Sequence, residues 1–556
     1  MKRLLSLLLV LILGLLISGS SLAAVKRLPA LYILCGTEEQ DARDRVDVWY
    51  SLSGTGAFFL PAHYKPEETR LYFEGIETLR IGGREYCSGD AFSLPFNKEL
   101  KVTGEGISSF PLTVYQSANL PAVYINAETG STAQIHKSKA VREPGDMYMV
   151  DPDGNVYYDG KLKYIRTRGN STFLYPKKPY QIKLERKASL CGMAEDSTYI
   201  LLANYLDRSE IRNTLALDLA RYSGAYAFTP ACQSVDLYLN GIYAGCYLLT
   251  EKCEIGSNRL NIVDLEKAVE EINDQPLETY PFVGSERYKI NARRSFAIPN
   301  EPEDITGGYL MIANNMDYFQ SEASGFVTNK GQAFTMQQPK YASSAEIEYI
   351  SGVMQRIENA LFAPDGKDPA SGLHYTEMLD MTSFVNRYLQ SELLNDFDGQ
   401  RPLFYKDSDS VSSKVYCGPV WDQDNILGAS ARRPGAGYLS LDAEQKRPYY
   451  WFTQAAKHPD FRERMISTYY AVYRPACQIL LGEAEDPSGI LRSIDEYAEE
   501  VRQSEIMDHA RWSKATWNKE SGGNPQSGKN LDECVAFLKG FILTRVKTLD
   551  KAYPQK

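Results

Sequence analysis

Residues 395–425 read NDFDGQRPLFYKDSDSVSSKVYCGPVWDQDN. Leu403 to Lys406 has the look of a short strand, Asp407 to Ser413 is a polar turn, and Lys414 to Trp421 returns as a second strand. A hairpin brings its outer ends together. Asp398, just before the first strand, and Asp422, just after the second, are therefore expected as neighbours, flanked by Asp396 and Asp424. Carboxylates held this close repel one another and need a cation or a shared proton. Hard oxygen ligands suit Mg²⁺ better than zinc. The apolar run VYCGPVW leading into Asp422 argues against a merely solvated acidic loop.

Upstream, residues 166–184 read RTRGNSTFLYPKKPYQIKL. Gly169 can take a positive φ and let the backbone approach a ligand, and the N–H groups around Asn170 and Ser171 can form an anion-binding concavity. Arg166 and Arg168 add charge. In the strand that follows, Tyr180, Ile182 and Leu184 share one face, which puts Lys183 on the other with Gln181. A glycine turn before a strand is usually only a turn, so this stretch gains meaning only beside the hairpin aspartates.

Between the two lie DRSEIRNTLALDLARYSG (207–224) and SVDLYLNGIYAGCYLLTEK (234–252). The first is read as a helix with an Asp207/Glu210 capping box and Gly224 at its end. In the second, Asn240-Gly241 is a hairpin turn. Residues 344–361 and 380–395 have helical periodicity, and about 445–556 reads mostly helical. Residues 25–118 show short strands between Gly, Pro and Asn signals, the pattern of a small β-sandwich. DPDGNVYYDG (151–160) begins like a calcium loop, but Leu162 stands where the twelfth-position Glu belongs, so a plain turn is expected.

The chain starts MKRLLSLLLVLILGLLISGSSLAA, a positive n-region, a short apolar core and a small-residue cleavage site, which reads as a secretory signal peptide over 1–23 with no later segment of membrane-spanning length. A net charge of −10 sets aside a nucleic-acid footprint. Nine cysteines, an odd number without a CxxC, give metal ligation little support; Cys35 with Cys87 is the best candidate disulfide.

The order of parts is glycine turn, strand lysine, helix, hairpin, helix, and two aspartates bracketing a second hairpin. It is the order found in a protein-kinase-like phosphotransferase. More specifically, IRTRGNST, YPKKPYQIKL, ILLANYLDRSEIRNTLALDLAR, VDLYLNGIYAGCYLLTEK, TGGYLM (306–311), LLNDFDG and GPVWDQD resemble the CotH kinase family, the spore coat protein H group of atypical kinase-like proteins, over roughly 120–430. The resemblance implies an α+β, two-lobed kinase-like fold over 119–556 (N-lobe about 119–260, C-lobe about 300–556) behind an all-β accessory domain at 24–118. It implies ATP-dependent phosphorylation of Ser or Thr in a surface or coat protein, with Mg²⁺ or Mn²⁺, by a secreted or cell-surface enzyme. Asp398 would be the catalytic Asp, Asp422 and Asp424 the metal ligands, Arg168, Gly169, Asn170 and Ser171 the phosphate-covering loop, Lys183 the phosphate lysine, and Glu251 a residue near the nucleotide edge. Glu210 and Asp218 are both candidate acid partners for the lysine. Leu403 occupies the position of a second metal-binding Asn, and Gln423 follows the metal Asp where the family commonly has an aromatic. These departures leave a second reading, a catalytically degenerate kinase-like structural or binding protein. A glycan hydrolase using the paired carboxylates would explain neither the lysine strand nor the glycine turn.

Overall fold

The computed structural model describes residues 28–35, 42–285, 287–314, 316–396, 401–430, 435–440, 451–512, 524 and 527–555. The signal-peptide reading and Asp398 lie outside them.

The architecture is α+β. From Leu31 to Gln116 the chain forms a four-stranded and a six-stranded sheet. Their inward side chains, among them Ile33, Phe58, Leu71, Leu112 and Val114, share one core. All nine cysteines are free; Cys35 is buried and Cys87 exposed, so the expected pair is not made.

A closed seven-stranded barrel follows, built from β1 (Ala122–Ala127), β2 (Glu143–Val150), β3 (Val156–Thr167), β4 (Tyr180–Ala188), β5 (Asp196–Leu202), β6 (Cys232–Leu239) and β7 (Ile242–Glu251), in the order β1-β2-β3-β4-β5-β7-β6. Parallel pairing of β6 with β1, Ala122 opposite Asp236, closes it. Strand alternation sends Tyr180, Ile182 and Leu184 into the barrel core with Ile125, Met149 and Leu237. The β2–β3 turn is a plain turn, as expected: Asp151 Oδ1 accepts from the N–H groups of Asp153 and Asn155 at 2.9 and 2.8 Å. Asn240 and Gly241, both at positive φ, make the β6–β7 turn.

Helix α1 (Arg212–Ser223) links β5 to β6 and ends on Gly224 in the left-handed region, at φ +61°. Its start is not the expected capping box. Glu210 sits at φ +60°, and the Asp207 carboxylate instead accepts from the N–H of Arg212 at 2.8 Å and that of Ser209 at 2.9 Å. The box fails because Asp207 and Arg212 form a buried ion pair that sets the turn.

The second half is built on a fully antiparallel sheet of β8 (Phe282–Gly284), β9 (Arg293–Phe296), β10 (Tyr309–Asn314), β11 (Gly325–Val327), β12 (Ala333–Gln338), β13 (Leu403–Lys406) and β14 (Val415–Cys417), ordered β8-β9-β11-β12-β10-β13-β14. The expected second hairpin is β13–β14, with Phe404 opposite Cys417. Its return strand stops at Cys417 because Gly418, at φ +131°, turns the chain away. Helices α2 (Ser344–Phe362), α3 (Met381–Leu394), α4 (Ile494–Trp512) and α5 (Leu531–Ala552) are the longest of the set that follows. A Ser343/Glu346 capping box starts α2, and the Asp380 carboxylate caps α3. Phe384, Leu389, Ile350, Phe452 and Leu538 belong to the core these helices form with the sheet and α1. Among the described residues no helix is long and apolar enough to cross a membrane.

The sandwich core does not stop at residue 116. It continues through Tyr124, Tyr238 and Tyr243 of the barrel to Met507 of α4. At this seam Asp236 is fully buried, accepting from Tyr243 at 2.8 Å and from Ser504 at 2.8 Å. Burial pushes its carboxyl from 3.8 up to about 6. An acid whose folded pKa exceeds its unfolded value favours the fold while protonated. That contribution is present below about pH 4 and lost as pH rises through 6. Asp236→Asn keeps the acceptor for Tyr243 and offers a donor to the Ser504 hydroxyl. It should raise stability at pH 8 by about 1–3 kcal/mol and flatten the denaturation midpoint between pH 4 and 8. Equal midpoints of the two proteins at pH 8 would contradict this.

Candidate functional site

A cleft of about 690 Å³ opens between the barrel and the antiparallel sheet. The barrel side contributes the β3–β4 loop, including Arg168, Gly169, Asn170, Ser171 and Lys177; the other side contributes Arg401, Trp421, Asp422, Asp424, Asn425 and Ser430. A recess of about 180 Å³ adjoins it, sharing Arg168, Arg401, Trp421 and Asp422 and floored by Ile200, Cys253, Leu310 and Leu403.

The glycine turn is shaped as the sequence suggests. Gly169 has φ +88°, and a Cβ there would overlap the Thr172 hydroxyl, so the position demands glycine on two counts. Lys139 pins the loop from outside, donating to the Gly169 carbonyl at 2.8 Å and to Asn170 Oδ1 at 3.3 Å. Arg168 lies over the Trp421 ring, 5.3 Å from its centroid. Burial lowers the Arg168 pKa, while the Asp422 carboxylate acts in the opposite sense.

On the facing side Asp422 adopts a left-handed backbone, φ +63°. The expected meeting of the hairpin ends is carried by their neighbours: the Gln423 amide donates to Asp396 Oδ2 at 2.9 Å. Arg387 pairs with the same oxygen at 3.3 Å, and the Gln423 N–H donates to Asn213 Oδ1 at 2.9 Å. Gln423 is buried, a brace between α1, the end of α3 and the aspartate loop. Arg212 adds a second tie, donating from Nε to the Ile426 carbonyl at 3.0 Å. Asp396 is thus a buried structural acid, whereas Asp422 and Asp424 line the cleft.

The lysine of the cleft is Lys177. Lys183 sits on the outward face of β4, opposite Tyr164 and Thr198, and lines neither cavity. Strand alternation begins only at Tyr180; Lys177 precedes it, between Pro176 and Pro179, where no period applies. Glu251, at the end of β7, accepts from the N–H groups of Ala194 and Ala231 and pairs with Arg259 at 2.9 Å. It holds the start of the segment whose Lys252 and Cys253 line the recess. Of the two candidate acids on α1 and its approach, Glu210 lies 3.8 Å from the Lys177 ammonium. Asp218 accepts instead from Tyr497 and pairs with Arg221. Among the described residues no group of three or more His, Cys, Asp or Glu is placed to hold a metal. The oxygen donors that could contribute to such a site are Asp422, Asp424 and Asn425.

A family model described as CotH kinase protein matches residues 165–549, more than half of the chain, and the chain belongs to that family. No curated protein matches it.

Proposed function

We propose that the chain is a secreted, two-lobed phosphotransferase that moves the γ-phosphoryl group of ATP to a Ser or Thr hydroxyl of a surface or coat protein. The observation that carries this reading is that one cleft gathers a positive-φ glycine turn, two cations (Arg168 and Lys177) and two carboxylates (Asp422 and Asp424). The parts fit the groups. Backbone N–H groups of the 169–171 turn with Arg168 and Lys177 suit a polyphosphate, and the recess beside Cys253 and Leu403 offers apolar walls to a base. Asp422, Asp424 and Asn425 offer hard oxygen to Mg²⁺ or Mn²⁺, and the cation, when bound, supplies charge neutralisation for the phosphates. Lys177 takes the role first assigned to Lys183. Asp398 is kept as the base that orients the acceptor hydroxyl and takes its proton, by the family resemblance.

The second reading, a kinase-like binding protein without turnover, is favoured by Leu403. At the position of a second metal-binding Asn it is a buried strand residue. Labelled ATP with Mg²⁺ or Mn²⁺, followed both for binding and for transfer to protein, separates the two. Transfer abolished by Asp398→Ala supports the first, and binding without transfer supports the second. A folded protein that does neither refutes the nucleotide site.

The glycine turn gives its own prediction. In Gly169→Ala a methyl must enter Thr172's space at a φ that L residues resist, which displaces the loop. Affinity for MgATP should fall about tenfold, roughly 1.4 kcal/mol, with the unfolding midpoint nearly unchanged because the loop is at the surface. Calorimetric titration checks this; unaltered affinity would remove the turn from the site.

A further inference from the structure

Lys177 lines the cleft, yet its side chain is 0% exposed. Its ammonium donates to the Cys246 carbonyl at 2.5 Å and pairs with Asp508 Oδ1 at 2.6 Å, closer than Glu210 at 3.8 Å. Asp508 is also 0% exposed, and its Oδ1 accepts from the Cys246 N–H at 2.9 Å. A buried charge persists only where it is paired and hydrogen-bonded, so this carboxylate sets both the charge and the place of the lysine. Strand β7 is shaped around the pair. Gly245, at φ +129°, lies beneath it, and a Cβ there would overlap Asp508 Oδ1 and stand 2.8 Å from Lys177 Cε.

Asp508 belongs to α4, which comes after both walls of the cleft in the chain. The helix is fastened to the barrel by Trp512 Nε1 donating to the Ala244 carbonyl at 2.8 Å and Arg511 Nε to that of Tyr243 at 3.1 Å. On its other side Met507 enters the sandwich core, the Arg511 guanidinium lies 4.8 Å from the Trp49 ring centroid, and the Ser504 and Ser117 hydroxyls are 3.0 Å apart.

We infer that Asp508 is the positioning carboxylate of Lys177, and that α4, wedged between sandwich and barrel, makes the N-terminal sandwich part of the support of the cleft. The inference rests on reading Lys177 as the phosphate lysine, but the placement of Lys177 by Asp508 is separately testable. In the full chain without nucleotide, acetic anhydride labelling of Lys177 is read by peptide mass spectrometry against exposed Lys161 as the internal reference. Asp508→Asn should raise the Lys177 labelling ratio at least tenfold, and Asp508→Glu should restore part of the protection. With MgATP, Asp508→Asn should raise KM by more than it lowers kcat, because the displaced lysine binds phosphate in the ground state as well. An unchanged labelling ratio in folded Asp508→Asn overturns the inference whatever the nucleotide result. If wild type neither binds nor turns over MgATP, the nucleotide reading falls while the labelling still decides Asp508. Should Asp508→Asn fail to fold, Gly245→Ala keeps both charges and forces them apart. The same tenfold rise is expected there, and an unchanged ratio overturns the inference.

Discussion

Asp422→Asn should lower phosphoryl transfer from MgATP by about 10²–10³-fold, with the fold intact. The substitution is chosen for the backbone. Asp422 sits at φ +63°, a conformation Asn adopts more readily than almost any other residue with a side chain, so the exchange isolates the charge from the turn. An amide oxygen remains as a weak ligand, but the negative charge that would hold the cation beside Arg168 and Lys177 is gone. Losing one preorganised electrostatic group in such a site typically costs about 3–4 kcal/mol of transition-state stabilisation. Circular dichroism and the denaturation midpoint should match wild type. Transfer at the wild-type rate would mean that the chemistry, if any, lies elsewhere. Raising Mn²⁺ should recover part of the rate if the loss is one of metal affinity.

The largest stability effect is expected at Arg212. Its guanidinium is buried, paired with Asp207, and donates to the carbonyls of Ile426 and Leu427 at 3.0 and 3.4 Å. Arg212→Leu strands the Asp207 charge in the interior and leaves two carbonyls without this donor. Removing one partner of a buried pair costs about 3–5 kcal/mol, which a urea midpoint will register. Adding Asp207→Asn to Arg212→Leu removes the stranded charge while keeping an acceptor for the Ser209 and Arg212-position N–H groups. The double variant should recover about half of the loss. A double variant less stable than Arg212→Leu alone would show that Asp207 acts mainly through the turn.

What the sequence disclosed follows from the range of its rules. The β13–β14 hairpin, the Asn240-Gly241 turn and helices α1 to α3 obey local periods and turn chemistry, and each was legible. Lys183 was preferred to Lys177 because alternation assigns a face only within a strand, and Lys177 stands in an irregular segment between two prolines. The hidden acids show the same limit. Asp396 and Asp422 look alike in sequence, yet Arg387 and Gln423 bury one and leave the other in the cleft. Asp508 lies on an ordinary amphipathic helix far down the chain, and nothing in its neighbours marks it as facing a lysine of the barrel. Gly245 was the one local trace: a glycine inside a strand marks a close approach, though not by what.

The late position of α4 has a consequence for the order in which the protein comes into being. A chain extended only as far as residue 493 contains every strand of the barrel and of the antiparallel sheet, and Asp422 and Lys177 with them. It lacks the carboxylate that pairs with the lysine and the apolar side chain that completes the sandwich seam. Synthesis runs from the N-terminus, so the nascent polypeptide carries an unfinished cleft until nearly the whole message has been read. Any product that stops short of α4 should be both unstable at the seam and inert, which makes completeness of translation a condition for activity.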